Sequence, residues 1–175
     1  PIMMDLLDQF KLEFPTICVK PILYFNSRHL AKIEGHYKTP IHQDWRSMQG
    51  SLNSVVIWIP LVDMTKELGA VEFLPGSHLN GLLETEKDEW FQHIPDRLVD
   101  ENQFYAAEVK QGDVVVFSSF CAHRSGNNTT DRIRWSIHFR YNDLHEPSWK
   151  ERNYLHPYKV YHPDHELRDP GFPTS

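Results

Sequence analysis

The stretch that decides the fold is Arg134-Trp135-Ser136-Ile137-His138-Phe139-Arg140-Tyr141, in which polar and apolar side chains alternate without a break. Side chains two residues apart on a β-strand point to the same side, so the pattern predicts a strand with one polar and one apolar face. Such a strand either lies at an edge with its polar face in water, or directs that face into the cavity of a barrel. The nearby His123, a candidate metal ligand, favours the barrel cavity.

The rest of the chain is a series of short β-rich runs separated by turn residues. Further strands are predicted at 17–25, 54–60, 70–74, 104–109 and 113–117, and a helix is predicted at 2–13. Many short strands predict an all-β sandwich or barrel.

Two turns separate predicted strands within a single domain. Pro75-Gly76 ends one strand, and Lys110-Gln111-Gly112-Asp113 predicts a hairpin between two apolar strands. We expect one domain over residues 1–175, with its core at about 16–141. Residues 82–93 are predicted to leave the sheet, and residues 142–175 to form an irregular tail.

Composition excludes several classes of protein. The formal net charge is −6 and no run of Lys or Arg occurs, which argues against a nucleic-acid partner. The two cysteines, Cys18 and Cys121, are too few for a disulfide framework and are not spaced for a thiolate zinc site. Neither a membrane-spanning run nor a signal-peptide pattern is found. We therefore expect a cytoplasmic protein without a membrane partner, and its oligomeric state stays open.

A candidate metal site consists of His42-Gln43-Asp44 and the distant His123. One carboxylate and two imidazoles are the ligand set of non-haem Fe(II) oxygenases, because three protein ligands leave the other positions of an octahedral iron open. On a strand, His42 and Asp44 would point to one side and Gln43 to the other. Thr39-Pro40 supports such a strand, because proline favours extended backbone before it.

Chance competes with this interpretation, because the chain has eleven histidines. His162-Pro163-Asp164 repeats the pattern but has no strand around it, and we interpret it as a chance match. His78, which follows Pro75-Gly76-Ser77, is predicted to stabilise the turn rather than to bind metal.

Four segments occur in a specific order and spacing between about residues 38 and 141: His42-Gln43-Asp44, 55–61, 69–78, and 123–128 followed by Arg134. Together they resemble the phytanoyl-CoA dioxygenase family of Fe(II)/2-oxoglutarate oxygenases. The resemblance implies a double-stranded β-helix, or jelly roll, with a few flanking helices. It also implies that His42, Asp44 and His123 bind Fe(II), and that 2-oxoglutarate and O2 are cosubstrates.

The resemblance further implies a binding site for 2-oxoglutarate. The family's cosubstrate-binding arginine lies eleven residues after the distal histidine, which here is Arg134, and Arg132 is the alternative. Ser125 is implied to help hold the same carboxylate, and Trp58 to line the cosubstrate pocket. An upstream polar residue often assists in the family, and here it would be Lys32 or Lys38.

The predicted function is that of a dioxygenase that hydroxylates a C–H bond of a small-molecule substrate and releases succinate and CO2. Related halogenases carry a small residue where this chain has Asp44, so the resemblance implies hydroxylation. An anionic substrate would be favoured if Arg140, His138 and Arg46 face the barrel mouth, whereas otherwise these side chains are exposed or structural. Two other functions stay open, a cupin-type metalloenzyme without 2-oxoglutarate and a non-catalytic jelly roll that binds a ligand.

Overall fold

The longest strand of the protein organises its larger sheet. A computed structural model describes residues 2–18, 21–29, 38–87 and 92–155, and its strands and helices are numbered along the chain. The tenth strand, β10 (Arg134–Asp143), pairs antiparallel with β1 (Pro15–Ile17) and β2 (Ile22–Asn26) along one edge. Its other edge pairs with β3 (Val55–Pro60), which pairs in turn with β8 (Val115–Ser118).

A smaller antiparallel sheet packs against the first. In it, β4 (Val71–Phe73) lies between β7 (Tyr105–Ala106) and β9 (His123–Ser125), and an isolated bridge joins His42 to His123 beyond β9. Trp58 of β3 and Phe73 of β4 belong to one apolar cluster between the sheets. Two facing antiparallel sheets of short strands form a jelly roll, so the predicted all-β fold class is confirmed.

A separate ribbon of two short strands, β5 (Glu86–Lys87) and β6 (Gln92–His93), lies outside both sheets. It falls in the segment 82–93 that was predicted to leave the sheet.

The helices are short and lie at the periphery of the sheets. They are α1 (Ile2–Gln9), α2 (Asp44–Met48) and α3 (Pro147–Glu151). Leu7 of α1 is fully buried in a cluster with Ile57 of β3 and Phe139 of β10, so α1 covers part of the outer face of the larger sheet. No helix in the described ranges is long and apolar enough to cross a membrane.

The polar face of β10 points into the interior. Arg134 is 1% exposed, Ser136 0% and Arg140 8%, whereas Trp135 and Ile137 on the opposite face are only partly buried. This burial confirms that the alternating stretch directs its polar face into the barrel.

Two predicted strand arrangements differ from the structure. The run at 17–25 is two strands rather than one, and Pro21, which has no N–H for a ladder bond, lies between them. Asp113 N donates to Lys110 O at 3.0 Å, so the predicted turn forms. However, β7 before this turn and β8 after it belong to different sheets, and the prediction of a hairpin is wrong.

The chain after residue 141 is more regular than predicted. β10 continues to Asp143, and α3 follows, with its N-terminus capped by Glu146, whose carboxylate accepts from Ser148 N and Trp149 N. The Asp143 carboxylate accepts from Glu13 N at 3.0 Å and Phe14 N at 2.9 Å, which ties the end of β10 to the N-terminal arm. The remainder of the predicted tail, 156–175, lies outside the described residues.

The pH dependence of the unfolding free energy of Asp143→Asn, compared with the wild type, tests the contact between Asp143 and the N-terminal segment. Burial raises the pKa of Asp143, but N–H donors led by Phe14, His145 and Glu13 outweigh it and hold the pKa below its usual value. A carboxyl whose folded-state pKa is depressed stabilises the fold above its unfolded pKa of about 4, and this contribution is lost as the pH falls through the folded-state pKa. We expect the variant to lose about 2 kcal/mol of unfolding free energy at pH 7.

Urea unfolding at a series of pH values measures the effect, and the difference from the wild type should shrink on acidification below about pH 4. Asp131→Asn is the control, because Asp131 is exposed in a surface pair with Arg28 and should lose less than about 1 kcal/mol. Equal losses in the two variants would contradict the role of Asp143.

Candidate metal centre

Three side chains that can ligate a metal converge at one end of the smaller sheet. The ligating atoms of His42, Asp44 and His123 all lie within 4.8 Å of one another. His42 and His123 are joined by a pair of backbone hydrogen bonds, His42 N to His123 O at 2.9 Å and His123 N to His42 O at 3.0 Å. Their imidazole centroids are 4.2 Å apart. Strand pairing therefore brings together two imidazoles that are distant in the sequence.

Asp44 reaches the cluster from a helix, which the sequence did not predict. His42 forms only the isolated bridge, Gln43 has extended backbone, and Asp44 is the first residue of α2. Contacts with a distant segment hold the start of α2 in place, because Trp45 is fully buried and Trp45 N donates to Ser119 O at 3.0 Å. The prediction that Asp44 lies on a strand is wrong, although its carboxylate still meets the imidazoles.

The middle residue of the tripeptide has a structural role that sequence reasoning missed. Gln43 is buried, and its amide donates to Gly81 O at 2.8 Å and to Phe120 O at 2.6 Å. Its side-chain oxygen accepts from Leu83 N at 2.8 Å. Gln43 therefore ties the metal-binding segment to the 81–83 loop and to the segment before β9.

Backbone carbonyls set the orientation of both imidazoles. His42 Nδ1 donates to Pro40 O at 2.8 Å, and His123 Nδ1 donates to Cys121 O at 2.9 Å. In each ring this leaves Nε2 as the acceptor nitrogen, which is the form that binds a metal. Burial and the neighbouring His42 lower the pKa of His123 to about 3, against the opposing effect of Asp44. His123 is therefore neutral at pH 7.

The Asp44 carboxylate presents one engaged and one unengaged oxygen. Oδ1 accepts from Arg140 Nη2 at 2.8 Å, whereas the buried Oδ2 has no hydrogen-bond partner among the described residues. Burial alone would raise the pKa of Asp44, but its neighbours, led by the positive charge of Arg140, outweigh it and hold the pKa well below its usual value. An ionised oxygen without a partner, beside two imidazole nitrogens, fits a divalent transition metal in a two-histidine, one-carboxylate site.

A cavity of about 200 Å³ extends from the two histidines to Arg134. Arg134 Nη2 donates to Ser125 Oγ at 3.3 Å, and Nη1 donates to Gly69 O. Burial lowers the pKa of Arg134 to about 10, with Tyr24 opposing the shift, so the guanidinium stays charged at pH 7. A buried cation at the far end of a cavity from a metal centre can bind a carboxylate.

Two further cavity residues were missed by sequence reasoning. Tyr24 and Thr39 line the same cavity, and their hydroxyl oxygens are hydrogen-bonded at 2.9 Å. The Tyr24 ring centroid lies 5.4 Å from the Arg134 guanidinium carbon. Tyr24 pairs with Ser136 across β2 and β10, so only the strand register, which the sequence does not give, reveals its position.

The other residues considered in the sequence lie at different distances from the cavity. Arg132 is exposed, which favours Arg134 over this alternative. Trp58 is buried in the apolar cluster between the sheets, and its ring meets that of His138 edge-on at 6.4 Å, so it lies behind a residue that lines the cavity. His78 is exposed in a short 3-10 helix, Ser77–Asn80. Lys38 is exposed.

Three predicted positions lie outside the described residues, namely Lys32, His162 and Asp164.

Comparison with known proteins gives one family. The family model described as phytanoyl-CoA dioxygenase (PhyH) matches residues 8–136. Phytanoyl-CoA dioxygenase 1 of Oryza sativa subsp. japonica is 34% identical over 103 residues, which cover 57% of this chain and 36% of that protein. Methylphosphonate hydroxylase of Gimesia maris is 27% identical over 135 residues, which cover 77% of this chain and 51% of that protein.

A solved structure shares the fold. It is the epimerase SnoN in complex with Fe3+, alpha ketoglutarate and nogalamycin RO, which matches with a TM-score of 0.57 and 23% identity over 74% of this chain and 50% of SnoN. The chain thus spans about half or less of the length of these three proteins.

Gln43→Ala tests whether the buried amide stabilises the metal-binding segment. The substitution leaves the carbonyls of Gly81 and Phe120 and the N–H of Leu83 without their side-chain partner. Because each buried polar group left unsatisfied costs about 1–3 kcal/mol, we expect a loss of about 3 kcal/mol in unfolding free energy, measured by urea denaturation. Gln111→Ala, at an exposed position, should change it by less than about 0.5 kcal/mol. A neutral Gln43→Ala would refute this role.

Proposed function

Because this chain belongs to the phytanoyl-CoA dioxygenase family, we propose that it is an Fe(II)- and 2-oxoglutarate-dependent oxygenase that hydroxylates a C–H bond of a small molecule. Iron, 2-oxoglutarate and O2 are the cofactors of this family. The observation that carries the proposal is the placement of His42 and His123 at one end of a cavity whose other end is the buried Arg134.

The protein's part in the reaction follows from its own side chains. Iron, when bound, supplies the activation of O2 that accompanies oxidative decarboxylation of 2-oxoglutarate to succinate and CO2. His42, Asp44 and His123 would hold it through two imidazole nitrogens and one carboxylate oxygen. Arg134 would bind the far carboxylate of 2-oxoglutarate, and Ser125 would orient the guanidinium. The walls of the cavity would exclude water around the reacting groups.

The proposed outcome is hydroxylation, and it rests on Asp44. A carboxylate ligand fills the position that a small residue leaves open for chloride in related halogenases, so transfer of a hydroxyl group is favoured. The fold itself is compatible with other outcomes, since SnoN is described as an epimerase. The position of the substrate C–H bond would then decide the product.

Two of the three basic residues considered for an anionic substrate have partners in the described part of the chain, and the third is neutral. Arg140 is paired with Asp44, and Arg46 Nη2 donates to Leu83 O at 3.2 Å. Burial and the charge of Arg140 lower the pKa of His138 to about 3, so that His138 is neutral at pH 7. These side chains give no support to an anionic substrate, and we propose a small molecule without assigning its charge.

The two alternative functions lack a specific supporting observation. A cupin-type enzyme without 2-oxoglutarate would have no use for a buried guanidinium facing the metal cavity. A non-catalytic jelly roll does not require an ionised, buried carboxylate oxygen that lacks a partner among the described residues and lies beside two oriented imidazoles. Both features are accounted for by a metal and a dicarboxylate cosubstrate.

Anaerobic titration of the Fe(II)-loaded protein with 2-oxoglutarate tests the proposal. The wild type should develop a visible charge-transfer absorption and should release succinate from 2-oxoglutarate in air. Arg134→Gln should weaken 2-oxoglutarate binding by about 30-fold or more, because one partner of a buried charged pair is removed. Arg132→Gln, a matched change at an exposed arginine, should bind 2-oxoglutarate like the wild type.

Two results would count against the assignment. A wild-type protein that binds Fe(II) but shows neither the absorption nor succinate release is not a 2-oxoglutarate-dependent oxygenase. If Arg134→Gln binds 2-oxoglutarate with unchanged affinity, the far carboxylate of the cosubstrate does not bind Arg134.

A further inference from the structure

The ion pair between Arg140 and Asp44 is the most deeply buried pair of opposite charges among the described residues. Arg140 Nη2 and Asp44 Oδ1 are 2.8 Å apart, and their side chains are 9% and 4% exposed. Burying two charges requires a desolvation penalty that their attraction alone often fails to repay. An ion pair in such a position therefore calls for a role beyond stability.

Arg140 and Arg134 lie on the same inward face of β10 and have different partners. Arg134 contacts Ser125 and Gly69, whereas Arg140 reaches Asp44 at the metal centre. Both side chains line one cavity. The strand thus presents one guanidinium to the proposed cosubstrate end and one to the metal end.

We propose that Arg140 is a positioning residue, which engages Oδ1 of Asp44 so that the carboxylate offers only Oδ2 to the metal. The inference rests on the proposed function for the metal itself. It accounts for the division of the carboxylate into one bonded oxygen and one that has no hydrogen-bond partner in the part of the chain that the structure describes. A carboxylate that ligates through one oxygen leaves a coordination position open, and an octahedral iron needs such positions for its cosubstrates.

The position of Arg140 is not explained by electrostatic attraction to the metal. A guanidinium beside a metal site repels a divalent cation, so its presence there opposes metal binding through Coulomb energy. A fixed hydrogen-bond geometry is what the guanidinium contributes, since it holds the plane of the carboxylate. Loss of Arg140 should therefore change how the metal is held.

Cobalt(II) is the probe, because its visible absorption reports coordination number and geometry under anaerobic conditions. Arg140→Gln should bind Co(II) at least about tenfold more weakly than the wild type, as is typical for the loss of an outer partner of a metal ligand. Its Co(II) spectrum should also change. Arg140→Lys, which retains a charged donor, should recover part of the affinity, and Arg132→Gln should match the wild type. Wild-type affinity together with an unchanged spectrum in Arg140→Gln would overturn the proposal.

A chemical rescue keeps the proposal testable if Arg140→Gln fails to fold. Asp44→Gly removes the carboxylate and leaves Arg140 facing the vacated space, where formate can bind with one oxygen on the guanidinium and the other toward the metal. Formate should raise the Co(II) affinity of Asp44→Gly about tenfold or more, and should have no effect on Asp44→Gly/Arg140→Gln. The double variant removes both members of the pair, so no unpaired buried charge remains.

The outcomes separate the two proposals. Equal formate effects with and without Arg140, or none in either variant, overturn the role of Arg140 while leaving the oxygenase function intact. A wild-type protein that binds neither Co(II) nor Fe(II) overturns the proposed function first.

Discussion

A polar strand face buried inside the barrel is the constraint on which the rest of the site depends. Polar groups removed from water must find partners, and charged groups must find them most of all. On β10 the partners of Arg134 are Ser125 Oγ and Gly69 O, and a partner of Arg140 is the Asp44 carboxylate. Each of these contacts draws another segment toward β10. The interior polar face and the metal centre are thus parts of one hydrogen-bonded structure.

The periodic features of the site could be predicted from the sequence because they are local. The alternation in 134–141 gave the strand and its inward face, and the His-x-Asp spacing gave His42 and Asp44 as one half of a metal site, whereas the place of Arg134 in the site was implied by the family resemblance. Side-chain direction on a strand follows from a period of two residues, so a sequence pattern is enough to indicate it. The family resemblance supplied the jelly-roll fold.

The errors arose where distant contacts decide the local structure. Asp44 begins a helix because Trp45 is buried and bonded to Ser119, and neither contact is visible in the tripeptide. The turn at 110–113 joins two sheets because β7 pairs with β4 and β8 with β3. The end of β10 is held by partners near the N-terminal side of the sheet, since the Asp143 carboxylate accepts from Glu13 N and Phe14 N.

The support of α2 has a consequence for the order in which the molecule is assembled. Arg152 donates to the carbonyls of Gln49 at 2.8 Å and Gly50 at 2.7 Å, and its guanidinium carbon lies 5.4 Å from the centroid of the Trp45 ring. His42 and Asp44 leave the ribosome before His123, Arg140 and Arg152, which follow about 80 or more residues later in synthesis. Pairings between such distant residues form slowly, because a long loop must close first. The metal centre is therefore a late product of folding, and a nascent chain can complete it only after nearly all of the described chain has been made.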